Sequence, residues 1–267
     1  MAPVIHCVRH AQGAHNISLE HSNITDPALT EKGYQQCQQF QKKFTDHSRI
    51  DLLLASPLRR AIYTALEGFE PVFNTSPDRR LLLLPDLQEY SDFLCDVGVA
   101  RSVLEREIQE KELPVDASLV SDDWYLKSGR YAPTLEAISL RARDVRCWLK
   151  ARPEREIVVV THGGFLHFLT EDWEDSCIGL GTGWMNMEYR TYEFTDSDYN
   201  DLGEVDFHGH NATLVETAES RLRRGKTAQP PTRREQQRLF LSGLEGWRAQ
   251  GLCLSVAEQQ AQRPSPT

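Results

Sequence analysis

Residues 4–8 (Val-Ile-His-Cys-Val), 51–55 (Asp-Leu-Leu-Leu-Ala) and 157–160 (Ile-Val-Val-Val) are short, mostly apolar runs with little polar alternation. That is the pattern of strands covered on both faces, as in a parallel sheet. Residues 79–84 add a weaker run of the same kind, and 185–194 alternates well enough for a final strand, which suits an antiparallel one. Between these runs the apolar spacing changes to that of helices. Thr30 precedes a stretch with Cys37, Phe40 and Phe44 on one face, and residues 134–149 repeat the pattern with Leu135, Ile138, Ala142, Val145 and Leu149. Residues 232–247 form one more candidate helix, and Ser56-Pro57 reads as a helix cap followed by a first-turn proline.

Strands alternating with helices predict an α/β fold with a mostly parallel sheet. Residues 92–133 break that rhythm and read as an insertion or lid. Residues 179–183 read as a glycine-rich turn, and 196–205 as an acidic loop. Residues 226–231 and 259–267 have the composition of linker and tail, and no internal repeat is present. At 267 residues and 40% hydrophobic content, one domain over 1–220 with its insertion at 92–133, followed by a C-terminal helix and polar tail over 221–267, is the expected organisation.

A net charge of −9 and a pI near 5.5 argue against nucleic-acid and anionic-membrane partners, which need a broad positive field. Six cysteines without paired spacing read as reduced thiols. No apolar stretch resembles a signal-peptide core or a membrane span, so a soluble cytoplasmic protein is expected, and the Asn-x-Ser/Thr triplets at Asn16, Asn23 and Asn211 read as chance matches. Oligomeric state does not follow from the sequence.

Candidate chemistry sits where two of the runs end. Arg9-His10 closes the first, and Thr161-His162-Gly163-Gly164 closes the run at 157–160. Ligands of open α/β sheets bind beyond the carboxyl ends of the strands, so the two histidines can share a site. A phosphoryl group in transfer needs a nucleophile, cationic donors for its equatorial oxygens and an acid for the leaving oxygen. His10 can supply a neutral, nucleophilic imidazole and Arg9 a bidentate fork for phosphate. Glycines beside His162 permit close backbone approach to an anion.

Four segments then carry a resemblance. Arg9-His10-Ala11-Gln12-Gly13-Ala14-His15-Asn16 is similar to the signature of the histidine phosphatase superfamily, phosphoglycerate mutase-like branch, with Ala11 where glycine is commoner. Residues 26–33 (Asp-Pro-Ala-Leu-Thr-Glu-Lys-Gly), 56–65 (Ser-Pro-Leu-Arg-Arg-Ala-Ile-Tyr-Thr-Ala) and 160–164 (Val-Thr-His-Gly-Gly) resemble its later segments in order, so the resemblance spans about residues 4–194. It implies a three-layer α/β/α sandwich, a catalytic domain over 1–220 and a phosphohistidine on His10. Arg9, Asn16, Arg60 and His162 would then hold the phosphate. Glu89, in Asp86-Leu87-Gln88-Glu89, corresponds to the family's acid. No metal or cofactor is implied, and the expected partner is a small phosphorylated substrate.

The glycolytic mutases of that family follow their acid with a basic and aromatic stretch, whereas residues 90–96 after Glu89 carry two acids and no base, so the resemblance implies a hydrolase rather than a phosphomutase. A phosphate-binding or non-hydrolytic protein on the same scaffold is the third reading. Cys95 and Arg101-Ser102 satisfy the Cys-x5-Arg-Ser spacing of cysteine phosphatases, but Asp96 opposes a thiolate there. Asp206, His208 and His210 offer a weak metal-like cluster. Trp124, Tyr125 and Trp184 are candidates both for an apolar leaving-group pocket and for ordinary core. Residues 92–133 and 177–186 are the expected determinants of substrate choice.

Overall fold

A computed structural model describes residues 2–76, 78–176, 181–195, 212–252, 254–255 and 257–258. Its strands are β1 (Val4–Arg9), β2 (Leu52–Ala55), β3 (Leu81–Leu83), β4 (Val115–Asp116), β5 (Glu156–Thr161), β6 (Tyr189–Thr195) and β7 (Thr213–Glu216). The helices are α1 (Glu31–Lys43), α2 (Arg59–Gly68), α3 (Glu70–Phe73), α4 (Arg101–Glu110), α5 (Leu135–Lys150), α6 (Gly163–Thr170), α7 (Ala218–Arg223) and α8 (Arg233–Ala249). One seven-stranded sheet runs β4-β3-β2-β5-β1-β6-β7. Strands β1 to β5 are mutually parallel, and β6 and β7 close one edge antiparallel.

Period-two alternation sorts the central side chains into two layers. Val8, Leu53, Ala55, Val158 and Val160 face α1 and α2 in one core cluster, while Ile5, Cys7, Leu54, Ile157 and Val159 face α5, α6 and α8 in the other. The fold is therefore an α/β/α sandwich around a mostly parallel sheet. No helix among the described residues is long and apolar enough to cross a membrane.

Local chemistry sets several boundaries. The hydroxyls of Thr30 and Thr134 accept from Gly33 and Ala137 N–H, capping α1 and α5, each worth about 1 kcal/mol. A capping box of Thr232 and Glu235 opens α8, whose Leu244 and Trp247 reach the second core cluster.

Within the 92–133 segment, α4 and Trp124 are not loop-like. Trp124 is wholly buried in the first core cluster, where its ring packs so tightly on Gly98 that a Cβ there would lie 2.1 Å from it. Trp184 is also buried, under the guanidinium of Arg190 at 3.8 Å. Tyr125 packs against the same core as Trp124. The two tryptophans are core residues and do not line a leaving-group pocket. Residues 196–205, Asp206, His208, His210, Asn211, Cys177, Cys253, the start of the 177–186 segment and the tail from 259 lie outside the described residues.

Candidate active site

Because β1 and β5 are adjacent and in register, with Arg9 opposite Thr161, the next residue of each strand, His10 and His162, emerges at the same carboxyl edge. Their ring centroids are 5.1 Å apart. The His10 ring is oriented by its own backbone: Nδ1 donates to the Ala11 carbonyl at 2.7 Å. In the neutral ring that leaves the lone pair on Nε2, which receives the Nε–H of Arg60 at 3.3 Å. Burial, reinforced by Arg60 and Arg9, holds the His10 imidazole far below the ordinary histidine range, and burial with Arg60 and His10 does the same for His162.

Arg60 is delivered by the first turn of α2 and is fully buried. Its Nη2 pairs with Asp96 at 2.8 Å and its Nη1 donates to the Cys95 carbonyl at 2.5 Å, so the fork is fixed before any ligand arrives. Arg59 points elsewhere, to Asp26 and Glu107. Arg9 donates to the Trp184 carbonyl. Its Nε has no protein partner among the described residues, and the same holds for His162 Nδ1, His15 Nδ1 and Thr182 Oγ1. Buried polar atoms of native proteins are nearly always satisfied, so unpaired ones gathered around a histidine fit a ligand rich in oxygen.

Glu89 lies where α6 begins. Its carboxylate accepts the N–H groups of Gly164 at 3.1 Å and Phe165 at 2.7 Å, an N-terminal cap supplied from another segment. Burial, with Asp96 nearby, nevertheless pushes its carboxyl up to about 7. That approach requires glycine at 164: a Cβ there would lie 1.9 Å from the Tyr90 ring and 2.9 Å from Glu89 Oε1. Gly164→Ala is accordingly expected to destabilise the fold by about 1–3 kcal/mol, the range of overpacking in a filled core, with a lower urea midpoint as the readout. An unchanged midpoint would mean that Tyr90 swings away at no cost.

Arg9, His10, Arg60, Glu89 and His162 thus converge on one end of the sheet. Asn16 sits at the rim, its Oδ1 taking the Gly13 N–H at 3.0 Å and the Asn186 amide at 3.3 Å, and Asn186 also donates to the His10 carbonyl at 3.0 Å.

Sequence reasoning missed three neighbours. His15 returns its ring to 5.4 Å from His10 through the turn after Gly13. Ser56 does not cap α2, which starts at Arg59 after an extended Leu58; its Oγ lies 2.8 Å from His162 Nε2. Lys127 donates to the Glu89 carbonyl. Only the repeated strand-end placement of Ser56, directly after β2, could have signalled its role.

Cys95 is buried, burial and Asp96 push its thiol up, and its sulfur faces Asp96 at 3.7 Å. Arg101 pairs with Glu105 on the surface of α4. The Cys-x5-Arg spacing builds no thiolate site.

Against known families, the model described as the histidine phosphatase superfamily (branch 1) matches residues 5–200. A phosphoglycerate mutase-like protein 1 of Arabidopsis thaliana is 28% identical over 204 residues, covering 65% of this chain and 72% of that protein. A probable phosphatase of Schizosaccharomyces pombe is 30% identical over 170 residues, covering 60% of this chain and 73% of that protein. Among solved structures, the ecdysone phosphate phosphatase of Bombix mori in complex with tungstate superposes with a TM-score of 0.51 at 14% identity, over 72% of this chain and 89% of that one. This last likeness concerns the fold.

Proposed function

The chain belongs to the histidine phosphatase superfamily, and from that premise we propose that it is a metal-independent phosphomonoester hydrolase acting on a small phosphorylated metabolite through a phosphohistidine on His10. One observation carries the reading. The tautomer of His10 is set by Ala11, its lone pair lies at the guanidinium of Arg60, and its low basicity keeps it unprotonated at neutral pH.

The substrate phosphoryl group takes the place between Arg60, Arg9 and His162. With the Ser56 hydroxyl donating to His162 Nε2, Nδ1 carries the ring proton toward a phosphoryl oxygen. His10 Nε2 forms a bond to phosphorus as the ester P–O bond breaks, and protonated Glu89 gives its proton to the leaving oxygen. Glu89, now a carboxylate, takes a proton from water whose oxygen attacks phosphorus. The P–N bond breaks, phosphate leaves and Glu89 ends protonated, so the cycle closes with one water consumed. Asn16 adds an amide at the rim, and the 92–133 segment borders the leaving-group side.

Phosphate release from p-nitrophenyl phosphate tests the reading directly. Release that is unaffected by EDTA is expected, because no step uses a metal. Release abolished by EDTA and restored by a divalent cation would overturn the mechanism, and no release at all would move the protein to the non-hydrolytic reading that the intact scaffold also permits.

A further inference from the structure

Lys127 is a cation beside Glu89 to which no carboxylate is hydrogen-bonded among the described residues. Its Nζ donates to Gln88 Oε1 at 2.8 Å and to the Glu89 carbonyl at 3.1 Å, both uncharged acceptors. Gln88 is buried and cannot turn: its amide Nε2 donates to the carbonyls of Trp124 at 2.9 Å and Pro85 at 3.2 Å, which leaves Oε1 to face the lysine.

The two acids close by are committed elsewhere. Asp96 takes Arg60 and the Ser91 hydroxyl. Glu89 takes three backbone N–H groups, those of Tyr90, Gly164 and Phe165. An ammonium has three donors, and only two are used among the described residues. Lys127 is half-buried, drawing such a charge out of water is costly unless an anion compensates it, and that desolvation pulls its basicity down to about 7.

Its bond to the Glu89 carbonyl places the cation beside the candidate acid, in the combined field of Asp96, Arg141, Glu89 and Arg60. Arg9 and Arg60 suffice for a phosphate dianion. A third cation next to the acid is on the side from which the ester oxygen departs. The seven residues after Glu89 contain no base, and the charge arrives instead from the 92–133 segment.

We propose that Lys127 forms a subsite for a second anionic group, a carboxylate or a further phosphate, carried on the leaving group of the substrate. The inference rests on the hydrolase reading above for the side on which the leaving group lies. It deepens that reading from phosphomonoesters in general to doubly anionic ones.

Three esters of similar size test it: ethyl phosphate, phosphoglycolate and ethanediol bisphosphate. In the native protein, kcat/KM is expected to favour one of the two doubly anionic esters over ethyl phosphate by about tenfold or more, and which one identifies the source of the anion. Lys127→Met is expected to bring that ratio to within about twofold of unity, and Lys127→Arg to retain it. Because Lys127 loses its proton as pH rises through about 7, the native preference is expected to fade toward about pH 9, while the Arg variant holds it. A purely packing role for Lys127 would leave the ratio and its pH dependence unmoved.

Affinities of the same esters for the His10→Ala protein, measured by calorimetry, give the ratio without turnover. A native protein that hydrolyses none of them yet shows a Lys127-dependent affinity ratio would sink the hydrolase reading and keep the subsite. Equal affinities and equal kcat/KM for all three esters in the native protein, or a ratio that survives Lys127→Met, would overturn the subsite.

Discussion

His10→Ala is expected to lower phosphate release by about 10^4-fold or more, since it removes the nucleophile of the proposed mechanism and leaves only the electrostatic surroundings. Those surroundings stay in place: Arg60 keeps Asp96 and the Cys95 carbonyl as partners, and His162 keeps Ser56. A smaller, purely electrostatic contribution from His10 would cost far less. Chemical quench with labelled p-nitrophenyl phosphate separates the two, because a phosphohistidine is labile in acid and stable in base. The label should appear on the native protein within one turnover and be absent from the variant. Equal turnover by both proteins, or a label stable in acid, would remove His10 from the mechanism.

Glu89→Gln is the second large effect, with an expected loss of about 10^2- to 10^4-fold for alkyl phosphates, the usual worth of a general acid. In kcat/KM, which reports phosphorylation of His10 alone, the loss should be much smaller for p-nitrophenyl phosphate, whose leaving group departs without a proton. pH supplies an independent sign. The carboxyl is pushed up to about 7 by burial and by Asp96, so the proton needed for phosphorylating His10 is present below that pH and lost above it. The kcat/KM for an alkyl phosphate should therefore fall as pH rises through about 7, and the Gln variant should lack that limb. Identical losses in kcat/KM for the two ester types would remove Glu89 as the acid for the leaving oxygen. The carboxamide still offers one oxygen to the N–H groups of Gly164 and Phe165, so the cap of α6 is weakened rather than removed.

The parts of this architecture legible in the sequence are those governed by short-range pattern. The buried runs that become β1, β2 and β5 announce themselves, and so do the strand ends that carry His10 and His162. Arg60 rather than Arg59 matches the motif because the small Ala61 follows it, and the structure buries Arg60 and holds Arg59 in ion pairs with the buried Asp26 and with Glu107. What stayed hidden depends on distant contacts. The four residues of β7 gain their strand identity only by pairing with β6. Ser56 has the local chemistry of a cap, and its contact with His162 spans 106 positions. Trp124 and Trp184 fit a pocket or a core equally in isolation, and the contacts with Gly98 and Arg190 that decide for the core are distant in sequence or set by the fold. Lys127 meets Glu89 only because the 92–133 segment folds back over the end of β3.

The position of the acid also ties the site to the far end of the chain. Tyr90, which closes on Gly164, is itself stacked on Trp247 of α8 with ring centroids 5.7 Å apart, and the indole N–H of Trp247 donates to the Ser176 carbonyl. On the other flank, Arg190 is enclosed by Asp172, Asp175 and Glu188, and Asp175 in turn takes Arg224 and Lys226. For protein engineering this makes the catalytic machinery non-portable. A chimera or minimal protein cut after β6 would keep Arg9, His10, Arg60, Glu89 and His162 and forfeit the wall behind Glu89 and the counter-charges behind Trp184. The transplantable unit extends through Trp247.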